Sequence, residues 1–464
     1  MKIVGFTRTA LALLVFCAAT AIVSPAQIFT TLVDFNGTDG DDPGAALVQG
    51  TDGNLYGTTG LGGAANYGTV FEITPTGTLT TLYSFDRTDG TSPSGALVQA
   101  ADGNFYGTTG LGGAANDGTV FEITPGGTLT TLHSFDGADG DLPNGGLVQA
   151  SNGDFYGTTH TGGTANDGTV FRITPAGTLT TLYSFCSQAD CTDGYYPSGG
   201  LVQATNGKLY GTTDFGGADE TCPDGCGTAF EITPAGDLTT LQSSFTFGYP
   251  ESGVAQGVSG NFYGTTNGGS AAPSSIFEMT PSGTLTVLGS TCCELIAGLV
   301  QASGGNFYGV TNQGGTANDG TIFKITPAGE LTTLYNFCPQ AKCSGGAYPY
   351  AGLMQATNGI FYGSTTGEGH GLSNNGSIFS LSIGLPPFVE TRPTAGDVGA
   401  AVIILGTDLT GSTAVTFNGT AATFNVVSAS EITTTVPAGG TSGAVEVTTS
   451  SGTLKSNVAF RVLP

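Results

Sequence analysis

The chain has 464 residues, 39% of them hydrophobic, and sets 10 basic against 35 acidic side chains for a formal charge of −25. That length can bury more than one core, while so acidic a surface repels phosphate backbones and anionic headgroups and argues against nucleic acid or a membrane surface as partner. With 78 glycines and only 10% charged residues the composition would suit a disordered chain, but the strict repetition along it argues for order.

Residues 1–26 read as a secretory leader. Lys2 and Arg8 supply the positive start, Ala10 to Val23 the apolar stretch, and Ser24-Pro25-Ala26 a small-residue cleavage site before Gln27. No later stretch is long and apolar enough for a membrane-spanning helix. The expectation is a secreted or cell-surface protein with no spanning segment after cleavage.

From residue 27 to 384 the chain repeats itself. The unit is clearest from Leu97 to Phe135, and its Tyr-Gly pair recurs at Tyr56, Tyr106, Tyr156, Tyr210, Tyr263, Tyr308 and Tyr362, in steps of 50, 50, 54, 53, 45 and 54 residues. Each copy holds four strand-length runs rich in Val, Ile, Phe, Tyr and Thr, in the second copy Ala96–Gln99, Asn104–Thr109, Thr119–Ile123 and Leu129–Phe135. Tight turns at Asp102-Gly103 and Pro125-Gly126-Gly127 join them, and no 3.6-residue period predicts a helix. Seven units of four antiparallel strands predict a seven-bladed β-propeller, all-β. Phe29–Phe35 is a lone fourth-strand motif ahead of the first copy, and the last copy, Leu353–Ser382, lacks that strand. The N-terminal strand is therefore expected to complete the last blade and close the ring, which a linear solenoid would not need.

Alternate connections fall on opposite faces of such a ring. The first and third hardly vary between copies. The second and fourth do, and they carry all eight cysteines beyond the leader: Cys186, Cys191, Cys222, Cys226, Cys292, Cys293, Cys338 and Cys343. Their pairwise spacing in an exported chain predicts local disulfides, the adjacent Cys292 and Cys293 being ambiguous. Zinc is the competing reading, but four converging ligands are not supplied by so few histidines. No metal or cofactor is expected. One variable face on a rigid scaffold is where binding usually resides.

Residues 385–464 alternate differently after Gly384-Leu385-Pro386-Pro387. The runs Val402–Leu405, Val415–Phe417, Ala422–Val427, Ile432–Val436, Ala444–Val447 and Val458–Val462 predict a small β-sandwich.

The texts DGNFYGTT, GTVFEITP and GTLTTLYSF, over about residues 28–383, resemble the tandem repeat named for Gloeobacter and Verrucomicrobia that occurs in "choice-of-anchor" exported proteins. That resemblance implies export and no particular activity; no sorting tail of the kind such proteins often carry is visible before Pro464. The last segment is similar to an IPT/TIG domain, an immunoglobulin-like module, through Pro393-Thr394-Ala395-Gly396, Ile404-Leu405-Gly406-Thr407-Asp408-Leu409, Val415-Thr416-Phe417-Asn418-Gly419, Val436-Pro437-Ala438 and Ser456-Asn457-Val458-Ala459-Phe460. In exported proteins this implies a spacer or adhesion unit.

The tyrosine of each Tyr-Gly pair is read as inter-blade core, because it recurs in every copy. Tyr195, Tyr196, Tyr348 and Tyr350 occur only in the two long cysteine-clasped connections, and Phe215, Phe247 and Tyr249 in other variable loops. Aromatics on pinned loops suit the flat faces of sugars or a protein partner, and these seven are the candidate ligand-binding residues. The acidic turns Asp39–Asp42 and Asp136–Asp141 lack the ligand spacing of a calcium loop. Glu72, Glu122, Glu231 and Glu278 recur as structural positions, His133 replaces a fourth-strand tyrosine, and His160 and His370 read as isolated. No catalytic residue is singled out. The repeat turn Ile-Thr-Pro-x-Gly is similar to that of streptogramin lyase propellers, but the histidine and glutamate of their central magnesium site find no match here. The reading is a non-enzymatic binding or adhesion protein for polysaccharide or a surface protein; the alternative is a polysaccharide hydrolase or lyase. Carboxylates or a histidine converging at the central mouth would favour the enzyme. An aromatic or featureless mouth would favour binding.

Overall fold

The computed structural model describes residues 27–218, 225–268, 273–291, 293–338, 346–367 and 375–463. Seven four-stranded antiparallel sheets follow one another as blades. Their second strands are Leu55–Thr59, Phe105–Thr109, Phe155–Thr159, Leu209–Thr213, Phe262–Thr266, Phe307–Thr311 and Phe361–Thr365, which number blades 1 to 7. These strands are buried along their whole length, because a blade on either side leaves them no solvent face. The outer strands, such as Leu79–Ser84, alternate between exposed and half-buried positions. The innermost strands are shorter than expected: Val98–Gln99 where Ala96–Gln99 was read. Near the axis the backbones of adjacent blades touch, and a Cβ on Gly95 would lie 2.9 Å from the Gly145 carbonyl oxygen, so the chain leaves sheet pairing early. The one helical element among the described residues is a three-residue 3-10 turn, Ala189–Cys191, which no period announced.

The repeated tyrosine is inter-blade core, as read. Tyr56 packs on Phe105, Tyr106 on Phe155 and Tyr210 on Phe262, each with ring centroids 4.1 Å apart. Its glycine neighbour lies under the third strand, where a Cβ on Gly107 would meet the Phe121 ring at 2.6 Å. A second, polar girdle went unread in the sequence. The glutamine ending each innermost strand accepts a backbone N–H from the first turn of the preceding blade. The donors Thr51, Ala101, Ser151, Thr205, Val258, Ser303 and Thr357 meet Gln99, Gln149, Gln203, Gln256, Gln301, Gln355 and Gln49 at 2.8–3.3 Å.

The ring closes through the N-terminal strand. Ile28–Asp34 pairs with Ser377–Ser382 as the fourth strand of blade 7. Phe29 stacks on Tyr335 of blade 6 at 3.9 Å. Phe35 joins Leu47, Leu55, Phe71 and Ile73 of blade 1 to Tyr362 and Ile378 of blade 7 in one cluster.

Beyond blade 7, two four-stranded sheets enclose a core of Val402, Ile404, Val415, Phe417, Ile432, Val445, Val447 and Phe460. Strands Glu390–Arg392, Ala395–Gly396 and Gly452–Lys455 add to the runs read from sequence, Ala395–Gly396 pairs in parallel with Arg461–Val462 at the end of the run read as Val458–Val462, and the run Ala422–Val427 divides into Thr420–Ala422 and Phe424–Val426 in different sheets. The sandwich packs on the first-turn face of the ring. Arg392 donates to the Gln49 carbonyl (2.8 Å) and Gln99 Oε1 (2.9 Å), Ser430 Oγ to the Thr51 carbonyl (2.7 Å), and Arg461 to the Thr205 carbonyl (2.5 Å).

Phe29→Ala should lower unfolding stability by roughly 1–3 kcal/mol, read as a fall in the denaturation midpoint, while Thr30→Ala on the exposed side of the same strand should not. Equal midpoints would mean that closure does not limit stability.

Candidate functional site

The second and fourth connections meet on the face opposite the sandwich. Within single blades they form bridges, as between Asp41 and Leu61, Thr91 and Leu111, and Tyr195 and Phe215. Cys186 and Cys191 are bonded to each other in this face. Cys226 and Cys338 are also disulfide-bonded, while Cys222, Cys292 and Cys343 lie outside the described residues. Asp167 has the two sulfurs of Cys186 and Cys191 close by, but sulfurs joined to each other offer no thiolate for a metal.

At the centre of this face is a cavity of about 900 Å³ to which every blade contributes. Most of its wall is backbone and small side chains, such as Gly44-Ala45-Ala46, Ser94-Gly95-Ala96 and Asn144-Gly145-Gly146. Glycine is required where blades touch: a Cβ on Gly199 would lie 2.2 Å from the Gly253 nitrogen. The repeated first threonine ties these loops together, Thr158 Oγ1 donating to the Gly199 carbonyl (3.1 Å) and Thr212 Oγ1 to the Ser252 carbonyl (3.0 Å).

Two positions per blade vary on this rigid wall. One comes directly after the second strand, namely Gly60, Gly110, His160, Asp214, Asn267, Asn312 and Thr366, of which Gly60, Asp214 and Thr366 line the cavity. The other follows the loop proline in six blades, blade 6 having no proline there: Gly44, Ser94, Asn144, Ser198, Glu251 and Tyr350. On blades 3 to 5 they bring together groups that the sequence left scattered. Ser198 Oγ donates to Asp214 Oδ2 at 2.6 Å and lies 3.0 Å from His160 Nδ1, and Asn267 Nδ2 donates to Glu251 Oε2 at 3.2 Å. His160 is thus not isolated, and carboxylates do stand out, because the fold places residues of different repeats side by side. Asp214 is 6% exposed, and its Oδ1 has no hydrogen-bond partner. Burial lifts its carboxyl from the ordinary 3.8 to about 7, against the Ser198 hydrogen bond and with help from the Glu251 charge. Burial also raises Glu251, with Glu294 adding to it, and Asp42, with Asp41 adding to it. His160 is pushed down by burial, so it favours the neutral ring. No lysine or arginine lines the cavity among the described residues.

The seven candidate aromatics separate into three groups. Tyr196, Tyr195, Phe215 and Tyr249 form a continuous half-buried row, with centroids 4.9 Å apart between Tyr195 and Tyr196, 5.6 Å between Tyr195 and Phe215 and 5.2 Å between Phe215 and Tyr249. His160 extends it at 4.8 Å from Tyr196. Tyr350 stands alone on the cavity wall, 52% exposed. Phe247, half-buried, packs on Phe245 and Phe277 against the core between blades 4 and 5, and Tyr348 turns its hydroxyl to Asp319.

The residues set aside as structural keep such roles. Glu72 and Glu122 accept from Asn54 and Asn104 at 2.5 Å, and His133 Nε2 meets Asp139 at 2.7 Å where Tyr183 meets Asp193 at 2.7 Å in the next blade. Asp39 and Asp139 accept N–H groups of their own turns, from Asn36 (2.9 Å) and Asp136 (3.1 Å). His370 lies outside the described residues.

Models of the Gloeobacter/Verrucomicrobia repeat match residues 21–152, 143–294 and 223–386, and the IPT/TIG domain model matches 388–462. The chain belongs to the Gloeobacter/Verrucomicrobia repeat family. No curated protein matches it in sequence. Among solved structures it is similar to the extracellular domain of a protein assigned as a hybrid two-component system from B. thetaiotaomicron, at 10% identity and a TM-score of 0.52, over 93% of this chain and 58% of that one. The chain therefore spans 58% of the length of that relative. It is also similar to an oligogalacturonate lyase in complex with manganese, at 9% identity and a TM-score of 0.47, over 76% of this chain and 93% of that one. At such identities the likeness to the extracellular domain bears on the fold alone. No helix among the described residues is long and apolar enough to cross a membrane.

A carboxyl raised by burial favours the folded state while protonated. Asp214 therefore contributes stability that is full below its unfolded value of 3.8 and is lost as the pH rises through about 7. Asp214→Asn should exceed the wild type in stability at pH 8, by of order a few kcal/mol, and match it near pH 4. Thermal melts at the two pH values check this.

Proposed function

We propose that this is an exported glycan-binding protein that takes its ligand at the central mouth of the variable face, the first 26 residues serving as a cleaved leader. The observation that carries the reading is that a row of rings, outside the cavity lining itself, adjoins the hydrogen-bonding groups of the mouth through His160, which contacts both Ser198 and Tyr196. Asp214, Ser198, Glu251 and Asn267 supply acceptors and donors for sugar hydroxyls, and Tyr196, Tyr195, Phe215 and Tyr249 supply faces for the apolar side of a pyranose. A wall of glycine, serine and alanine offers little apolar area to a protein partner, whose hot spots need pockets for large side chains. The acidic lining, free of lysine and arginine among the described residues, disfavours polyuronates and sulfated chains, whose charges it would repel.

The hydrolase or lyase reading keeps one specific support, a carboxyl near pH 7 beside a histidine at the mouth, which meets the convergence criterion for an enzyme. The order of the groups speaks against a serine nucleophile. Ser198 stands between His160 and Asp214, whereas a triad needs the histidine between acid and hydroxyl.

A glycan array probed with residues 27–464 should give hits among neutral or basic polysaccharides, and Phe215→Ala with Tyr249→Ala should weaken the best hit about tenfold. An array without hits would sink the binding reading. Shortened oligosaccharides appearing in solution by mass spectrometry, and absent with Asp214→Asn, would move the assignment to the enzyme.

A further inference from the structure

Three side chains stand in line on blades 3 and 4. Ser198 Oγ lies 2.6 Å from Asp214 Oδ2 on one side and 3.0 Å from His160 Nδ1 on the other. A hydroxyl has a single proton to donate, so only one of the two neighbours receives it at a time. Asp214 is buried, and its Oδ1 has no hydrogen-bond partner. An acid proton on Oδ1 would face no acceptor, which costs the penalty of an unmade hydrogen bond. A proton taken up by Asp214 therefore belongs on Oδ2, pointing at Ser198. At the far end His160 stacks on Tyr196, with ring centroids 4.8 Å apart. Its Nε2 makes no hydrogen bond to a described residue and is not a buried atom lacking one, so it reaches solvent beside the row of rings.

We propose that Asp214, acting through Ser198, sets which nitrogen of His160 carries the proton, so that the mouth offers Nε2 as an acceptor when Asp214 is ionised and as a donor when it is protonated. An ionised Asp214 only accepts. Ser198 gives its proton to Oδ2, its oxygen is left to accept, and His160 meets it as Nδ1–H with Nε2 bare. In the protonated state Oδ2–H donates to Ser198 Oγ. Ser198 then turns its own proton to Nδ1, which must be bare, and the ring hydrogen sits on Nε2. Asp214 takes one proton from solvent, while the ring releases one at Nδ1 and takes one at Nε2, also through solvent. The charges bearing on the relay are Glu251 on Asp214, with Glu294 behind it, and Asp141 on His160. No lysine or arginine of the described cavity wall opposes them. Burial is the larger cause at both ends. It lifts Asp214 to about 7 and pushes His160 below its ordinary 6.5, so the ring stays neutral while the acid titrates. The relay lies wholly within the chain and does not rest on the glycan reading. Whatever lies on the ring row meets a histidine edge whose polarity Asp214 decides.

Long-range proton–nitrogen NMR on residues 27–464 with labelled histidine tests this, because each imidazole nitrogen reports whether it bears a proton. His160→Gln picks out the His160 signals among the three histidines. The Nδ1–H form should dominate at pH 8 and the Nε2–H form at pH 6, their ratio changing at least about tenfold. In Ser198→Ala and in Asp214→Asn, each checked for folding by its melt, the ratio should be the same at both pH values. One tautomer throughout in the wild type, or a ring protonated on both nitrogens at pH 6, would overturn the proposal. An inversion that survives in either variant would overturn it too, since the signal would not then pass through Ser198 from Asp214. Should a variant fail to fold, the wild-type titration still decides.

Discussion

Everything in this molecule depends on the contact between consecutive blades. A single blade is a small sheet with two apolar faces and cannot bury them alone. Placed in a circle, each covers the next: the tyrosine of one second strand lies on the phenylalanine or leucine that opens the next, as with Tyr106 on Phe155. The circle has meaning only if it closes, and closure is carried by Ile28–Asp34 zipped onto Ser377–Ser382, with Phe35 pinned between blades 7 and 1. This interlock joins the two ends of a 355-residue span, 382 − 28 + 1, so that opening any one interface strains all the others.

The same constraint explains where variation is allowed. The glutamine girdle and the glycines under the third strand recur in each copy, and the first-threonine bond in all but blade 6, where Val310 takes its place, because each holds a neighbour as well as its own blade. What remains free is the tip of the second strand and the residue after the loop proline, which face the axis and touch no neighbour's core. There the seven copies diverge, from Gly60 and Gly110 to His160 and Asp214. The result is a rigid ring with a chemically lopsided mouth, richest in polar and acidic side chains on blades 3 to 5, with Asp42 on blade 1 and only serines on blade 2. Stiff walls of this sort keep a group such as Asp214 Oδ1 buried without a partner, since the loops cannot relax to satisfy it.

The sandwich takes up the other face. Arg392, Ser430 and Arg461 donate to carbonyls or amide oxygens of the first-turn ring, the part of the ring that is most alike from blade to blade. A module docked there leaves the variable mouth open on the far side. The two faces thus serve different ends: one anchors, the other is available to a ligand.

Periodicity alone was enough to number the blades, to place the closing strand and to mark Tyr-Gly as inter-blade core, because strand pairing and burial depend on local pattern and each is written seven times. The assignment of the cysteine-bearing loops to one face followed from strand parity. The mouth could not be read in this way. Asp214, Ser198 and His160 belong to different repeats or different ends of one, and only the curvature of the ring brings them within hydrogen-bond reach. Aligning the seven copies would have marked their positions as variable, but not their meeting. Phe247 does lie in a turn, as read, but its half-buried ring packs on Phe245 and Phe277. A repeated sequence thus determines the scaffold, since every copy restates the same local free-energy minimum, whereas the site is made of the residues in which copies differ, and their chemistry appears only when tertiary structure decides which of them are neighbours.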